Sequence, residues 1–287
     1  MKEWTRPAPA KVNLALDILG RRPDGYHDMY MVMQTISLCD TVAVAEAAEG
    51  FTLAAEGIVL PEGKKSLEQR AAEAFFAEIG RPMPPLWVEL QKVTPAYAGL
   101  GGGSADVAAL LRILRDVYAP DLPGETLERI GFQVGSDMPF CVRGGTALAQ
   151  GRGEVLTDLA PLPDCWFVLC KPAFGIPTPQ LFARVSACGF GNHPDVPGMM
   201  AALERGDLVG IAERLGNVFE AVLPAEYGEV LRIKEELMAL GAMGAAMSGS
   251  GPTVFGIFRE GSAARNALRI LGQTYPQTYL AQPVRRF

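Results

Sequence analysis

Histidine is nearly missing from this 287-residue chain: His27 and His193 are the only two. A zinc site built on two histidines at helical spacing therefore cannot be written, and a Ser-His-Asp hydrolase has few candidates for its base. Cysteine is also sparse. Cys39, Cys141, Cys165, Cys170 and Cys188 are odd in number, form no Cys-x-x-Cys pair, and sit in apolar stretches such as Trp166-Phe167-Val168-Leu169-Cys170. Reduced, buried thiols are expected rather than disulfides. Basic runs are absent, and 26 Lys and Arg against 32 Asp and Glu leave a net charge of -6. That balance argues against nucleic acid or an anionic membrane as the partner, because a phosphate backbone selects clustered cations. No apolar run is long enough to span a bilayer. Met1-Lys2-Glu3-Trp4 has neither the apolar core of a signal peptide nor the pattern of a transit peptide, so a cytoplasmic protein is expected.

What is present reads as a globular α+β protein. With 49% hydrophobic residues the chain supports a sizeable core, in one large or two modest domains. Val12, Leu14, Leu16 and Ile18 alternate with Asn13, Ala15 and Asp17 as in a strand, and strand patterns recur at 29–37, 41–46 and 86–93. Between the last two, Ser66 and Gln69 suit a capping box opening a helix whose Leu67, Ala71, Ala74, Phe75 and Ile79 share a face, stopped by Gly80. A second helix is expected over 104–118 and a third over 125–134. Residues 144–170 read as strand, the stretch to Leu240 as mainly helical, and 242–247 and 253–258 as strand again. Two lobes are expected, divided as 1–155 and 156–287.

The stretch Thr94-Pro95-Ala96-Tyr97-Ala98-Gly99-Leu100-Gly101-Gly102-Gly103-Ser104-Ala105-Asp106 joins a strand to a helix. Four glycines there permit positive φ angles and close approach of a ligand to backbone N–H groups. The helix N-terminus adds unpaired N–H donors and the positive end of its dipole, so the unit suits a phosphate; it equally suits tight strand-to-helix packing. Ser104 and Ala105 follow Gly103 where a Walker A loop needs Lys-Ser or Lys-Thr, and a dinucleotide fingerprint needs Gly or Ala at Ser104. HRD and DFG motifs are missing, which excludes a protein kinase.

Three motifs in order then carry a resemblance: Pro9-Ala10-Lys11-Val12-Asn13-Leu14, the run Pro95 to Ala105, and Met247-Ser248-Gly249-Ser250-Gly251-Pro252-Thr253. The chain resembles the GHMP kinase superfamily. Arg22-Pro23-Asp24-Gly25-Tyr26-His27, Gly135-Ser136-Asp137-Met138-Pro139-Phe140, Gly151-Arg152-Gly153-Glu154 and Ile176-Pro177-Thr178-Pro179 resemble the branch that phosphorylates a cytidyl diphosphate small molecule.

The resemblance implies a two-lobed fold with its site between the lobes, ATP as phosphate donor and Mg²⁺ beside it. It implies Asp137 as catalytic base and Lys11 as the cation that keeps that base ionised. Pro95, Ala96, Tyr97, Ala98, Gly99, Leu100, Gly101, Gly102, Gly103, Ser104 and Ala105 are implied to bind ATP, and Asn13, Tyr26, His27, Thr178 and Phe182 to bind the cytidyl substrate. An alcohol is a weak nucleophile, so a carboxylate in reach and a nearby cation are appropriate equipment. Each residue also has a plain structural reading: Asp137 as a turn cap, Lys11 as a snorkelling strand residue, Phe182 as a core aromatic and His27 as a turn residue.

Three positions depart from the family pattern: Ser66 where an asparagine is usual, Tyr97 where smaller residues are usual, and Ala105 where a second serine is common. Metal ligands are left unassigned, with the Ser104 hydroxyl as a candidate. Mevalonate or homoserine kinase activity is the alternative within the family, and a non-catalytic nucleotide-binding module or a nicotinamide dehydrogenase the alternative outside it. For the last, Asp121 lies near the required distance but precedes the loop-like Leu122-Pro123-Gly124.

Overall fold

The structure is a computed structural model that describes residues 3–55, 64–189 and 193–286. Met1 and Lys2, and residues 190–192 within the stretch read as helical, lie outside the described residues. The chain forms two compact units, each assembled from several separate stretches: one from the residues up to Ala10 with Cys39–Ala96 and Gly101–Arg143, the other from Lys11–Leu38, Tyr97–Leu100 and Gly144 onward.

The first two strands are far longer than alternation suggested. β1 runs Glu3–Arg21 and β2 runs His27–Glu46, each contributing residues to both units. The sequence pattern divides β2 in two because Ser37, Asp40 and Thr41 interrupt the apolar alternation, yet the ladder continues through them.

In the first unit, the Thr41–Glu46 end of β2 pairs antiparallel with β4 (Leu86–Gln91), which pairs in parallel with β3 (Phe51–Ala55). Among its described residues four helices complete it: α1 (Leu67–Glu78), α2 (Gly102–Tyr118), α3 (Gly124–Phe132) and α4 (Met138–Arg143). Ser66 caps α1 as expected, its Oγ accepting from the Gln69 amide at 3.0 Å, but the Gln69 side chain turns to Glu73 instead of closing a box. α2 packs on α1, α3 and α4. Its face from Ala105 to Leu114 is buried throughout, including Arg112, which is held by the carbonyls of Cys141 at 2.7 Å and Pro7 at 3.4 Å. Burial drives the Arg112 guanidinium down to about 10. α4 escaped the sequence reading because Pro139 at its second position disguises a short helix.

In the second unit, the Met29–Gln34 part of β2 pairs with β5 (Thr146–Gly151), which pairs with β6 (Val155–Asp158). A four-stranded antiparallel sheet has the order β11 (Gln277–Ala281), β7 (Trp166–Lys171), β10 (Val254–Phe258), β9 (Gly244–Met247). α5 (Thr178–Cys188), α6 (Val196–Glu204), α7 (Leu208–Glu213) and α8 (Glu229–Ala239) fill the stretch read as helical, with a two-residue strand, β8 (Gly216–Asn217), between α7 and α8. α9 (Gly261–Thr274) and β11 were not anticipated. α9 lays Ala264, Ala267 and Leu271 on the sheet, a spacing of one helical face.

Candidate active site

In the second unit, β1 opens with Lys11 and Asn13, both buried although polar, on the same face of the strand. Nζ of Lys11 donates to Oδ1 of Asn13 at 2.8 Å, and the Lys11 amide donates to the Leu100 carbonyl at 2.9 Å. The glycine stretch is therefore tied by its backbone to the strand carrying the lysine. Its other contact is the turn Ser248–Gly251. The Ser248 hydroxyl donates to the Gly99 carbonyl at 2.9 Å, and the Thr253 amide reaches the Ala98 carbonyl at 3.4 Å.

Gly99 has φ +74°, and a Cβ there would overlap the Ser248 carbonyl oxygen. Gly249, at φ +57°, lies so close that a Cβ on it would meet the Gly99 carbonyl oxygen at 2.9 Å and the Lys11 Nζ at 3.4 Å. These two glycines exist because two backbones and an ammonium converge where no side chain fits.

In the first unit, Gly101 is the N-cap of α2 in the left-handed conformation at φ +68°, and the helix starts at Gly102, two residues before the expected Ser104. The positive φ angles thus fall at Gly99 and Gly101, and at Tyr97 with φ +51°, whereas Gly102 and Gly103 are already helical. α2 has no side-chain cap, so its first amides are left to other partners. Gly102 lies over β4's end: a Cβ there would meet Thr94 Cγ2 at 3.0 Å and Lys92 Nζ at 3.6 Å.

Beneath it Lys92 bridges two buried carboxylates, Asp40 at 2.5 Å and Asp106, while Asp40 also accepts the amides of Val93 and Thr94 at 2.5 and 2.7 Å. Burial would lower Lys92, but the charges and hydrogen bonds of the two carboxylates outweigh it and raise it. For Asp106 burial prevails over the Lys92 charge, with Asp40 and Glu68 adding repulsion, and pushes its carboxyl up to about 7. The sequence reading passed over this cluster, whose only local sign is a lysine and an aspartate flanking the glycines. Asp137, half-buried, immediately precedes α4, and its carbonyl accepts the Cys141 amide at 3.1 Å.

The residues expected to bind the cytidyl group all fall in the second unit. His27 and Phe182 are stacked at 4.7 Å between centroids with a 32° tilt, and Phe182 meets Phe219 edge-on at 5.0 Å. His27 Nε2 lies 2.8 Å from the Ser186 hydroxyl, which itself donates to the Phe182 carbonyl at 3.0 Å. With the hydroxyl proton given to the Phe182 carbonyl, the neutral tautomer that also bonds Ser186 is the one with Nε2 of His27 as donor and Nδ1 as acceptor. Burial, with the charge of Arg21 second, lowers the imidazole below its usual range and favours that neutral form. Tyr26 stands half-exposed with the Arg152 guanidinium 3.6 Å above its ring. Thr178, the first residue of α5, places its hydroxyl 2.6 Å from that of Ser250, joining the Ile176–Pro179 stretch to the turn Ser248–Gly251.

Comparison with known proteins gives the family. Residues 66–145 match the GHMP kinases N terminal domain, and residues 199–277 match GHMP kinases C terminal. The fold is that of a GHMP kinase: a homoserine kinase structure from Cytophaga hutchinsonii, 16% identical, superposes with a TM-score of 0.76 over 100% of this chain and 96% of that one.

Nearer relatives narrow the class. A 4-diphosphocytidyl-2-C-methyl-D-erythritol kinase of Moorella thermoacetica is 43% identical over 98% of this chain and 99% of its own, and that of Bacillus subtilis 38% identical over 96% of each. A crystal structure of 4-(cytidine 5'-diphospho)-2C-methyl-D-erythritol kinase, 32% identical, has a TM-score of 0.82 over 98% of this chain and 99% of that chain. The chain belongs to the 4-diphosphocytidyl-2-C-methyl-D-erythritol kinase family. Among the described residues no helix is long and apolar enough to cross a membrane.

Proposed function

We propose that the chain transfers the γ-phosphate of ATP to the 2-hydroxyl of 4-diphosphocytidyl-2-C-methyl-D-erythritol, a step of non-mevalonate isoprenoid precursor synthesis. The observation that carries this reading is near-full-length identity to kinases of that name, joined to a neutral, stacked His27 with an open acceptor nitrogen. Such an acceptor complements the exocyclic amine of cytosine, while Phe182 and Tyr26 offer aromatic faces to a base. Asn13 and Thr178 serve as polar contacts to the remainder of the substrate.

In the reaction the alcohol oxygen forms a bond to the γ-phosphorus as the bond to the β–γ bridging oxygen breaks. ADP leaves, and the Asp137 carboxylate takes the hydroxyl proton. Lys11 counters negative charge on the transferring group, and the stretch Pro95 to Ala105 holds the triphosphate through backbone N–H groups of its residues after the proline and of the α2 N-terminus. Mg²⁺ suits this set: it binds nucleotides largely through their own phosphate oxygens and water, needing few protein donors, and Ser104 in the first turn of α2 is the candidate ligand. Its contribution is to neutralise charge on the β- and γ-phosphates. Among the described residues no group of three or more His, Cys, Asp or Glu could hold a metal independently of a nucleotide.

The test is ADP production by purified protein with ATP and Mg²⁺, comparing the cytidyl substrate with mevalonate and homoserine. Turnover of the cytidyl substrate alone is expected. Turnover of another alcohol instead would remove the cytidine pocket from the reading, and turnover of none would remove the kinase.

A further inference from the structure

Asn217 grips the end of β9 and the turn after it from outside, through hydrogen bonds of its side-chain amide. It is buried, and its Nδ2 donates to two carbonyls at once, Met247 at 2.7 Å and Gly249 at 2.8 Å. Its Oδ1 accepts the Phe219 amide at 3.0 Å, capping the 3₁₀ helix Val218–Val222. The amide orientation follows from chemistry: carbonyls only accept and a backbone N–H only donates, so nitrogen must face Met247 and Gly249. The backbone of Asn217 is fixed as well, because β8 pairs in parallel with β1 at Ala15 to Gly216 and Leu16 to Asn217. Three residues on, Glu220 reinforces the grip from the same segment, its Oε1 accepting the Met247 amide at 2.7 Å and its Oε2 paired to Lys234 at 2.5 Å.

We infer that Asn217 is a positioning residue for phosphate transfer, holding the turn Ser248–Gly251 in the shape in which it meets Gly99 and the Lys11 ammonium. The chain of contacts is continuous within the second unit. The strand bearing Lys11 carries β8, β8 carries Asn217, Asn217 fixes the carbonyls of Met247 and Gly249, and the turn between and beyond them grips Gly99 through the Ser248 hydroxyl. Gly249 sits within that grip with no room for even a methyl group, and Gly99 opposite it is tighter still. A turn flanked by positive-φ glycines at 249 and 251 has many accessible conformations, so its shape must be imposed from outside, and the Asn217 amide supplies two of the required bonds. Releasing it lets the turn drift from Gly99 and loosens the site where the triphosphate is held.

The inference rests on the proposed ATP reaction, so its test includes a binding measurement that needs no turnover. Asn217→Asp keeps the oxygen that caps Phe219 but loses both donors; Asn217→Ser keeps a cap oxygen and one donor; Asn217→Ala keeps neither. Kd for ATP, KM for ATP and for the cytidyl substrate, and thermal unfolding are measured for all three and the parent. Expected is a rise of about tenfold or more in Kd and KM for ATP in the Asp and Ala variants, the size of losing one to two buried hydrogen bonds, with Ser between them and the parent. In the Asp variant, which keeps the cap on Phe219 behind Phe182, KM for the cytidyl substrate should rise less than KM for ATP, since the turn reaches that site only through the Ser250–Thr178 hydroxyl contact.

A purely structural role predicts a different order: stability follows the cap, so Asp and Ser resemble each other, and no Michaelis constant moves. ATP affinities unchanged in all folded variants, or a cytidyl KM that rises as far as the ATP KM in the Asp variant, would overturn the inference. If the Asp variant does not fold, Ser against Ala makes the same comparison. A parent protein that binds ATP but turns over no cytidyl substrate would sink the substrate reading, and the ATP affinities of the variants would still decide the role of Asn217.

Discussion

Asp137 precedes the short helix α4 and Asp106 lies buried within α2, and physical chemistry assigns them different behaviour. Asp137 is the proposed proton acceptor. Asp137→Asn should lower kcat by at least about a hundredfold, the usual worth of a general base, with both Michaelis constants within a few-fold of the parent; steady-state kinetics decides it, and a normal kcat would exclude Asp137 as the base. Asp106 is a buried partner of Lys92 whose carboxyl titrates at about 7 against 3.8 in its unperturbed state. Between those values the folded protein holds a proton that the unfolded chain has released. Stability therefore declines as pH rises through that window and levels off above it. Asp106→Asn removes this contribution, so the fall in Tm from pH 5 to pH 8 should be smaller in the variant by a few degrees. His27, whose pKa is lowered, contributes the opposite slope near its own titration, but equally in both proteins. Identical pH slopes would show that Asp106 does not titrate in this range.

The start of α2 and the turn at 248–251 show how an element can be strained by function without being unstable. Gly103 is exposed in the first helical turn, and a Cβ there would meet only Leu67 Cδ1 at 3.9 Å, ordinary contact. Gly103→Ala should therefore keep or slightly raise Tm, since alanine is favoured over glycine in helices by about 1 kcal/mol. It should still weaken ATP binding several-fold, because a methyl group would stand where the proposed phosphate site needs the amides open. Gly99→Ala is the contrasting case: φ +74° and the overlap with the Ser248 carbonyl make it lose both Tm and ATP affinity. Differential scanning fluorimetry beside ATP titration separates the two. Full ATP affinity in Gly103→Ala would place the phosphate elsewhere than the amides of α2.

At the scale of the whole molecule the thiols report on global unfolding. Burial, aided by the neighbouring charges of Asp164 and of Glu236 and Glu229 respectively, pushes Cys165 and Cys170 up to about 12, while Cys188 is exposed at the end of α5. Native alkylation at pH 8 should modify Cys188 quickly and reach Cys165 and Cys170 only as the chain unfolds, with saturating ATP slowing that second phase by mass action. Mass spectrometry of peptides after timed alkylation reads the three sites separately; comparable rates would mean that the sheet bearing Cys170 opens locally.

The same scale shows which parts of this protein were legible in order along the chain. Ser66 as a cap, the glycines between β4 and α2, and the alternation along β1 are local signals, because caps, positive φ and strand faces depend on residues a few positions apart. The ordered motifs likewise carried the family. The full length of β2, the Asp40–Lys92–Asp106 cluster, and the meeting of Lys11, Gly99, Asn217 and Gly249 were not legible. Each depends on residues far apart in the chain, brought together by strand register and by hydrogen bonds to backbone carbonyls that any sequence possesses. The sequence by itself determined the chemistry available: one glycine stretch, one lysine on a strand, a carboxylate and a histidine turn. Tertiary structure alone decided which of these groups touch, because packing, and not local preference, determines where a carbonyl of residue 249 finds its donor.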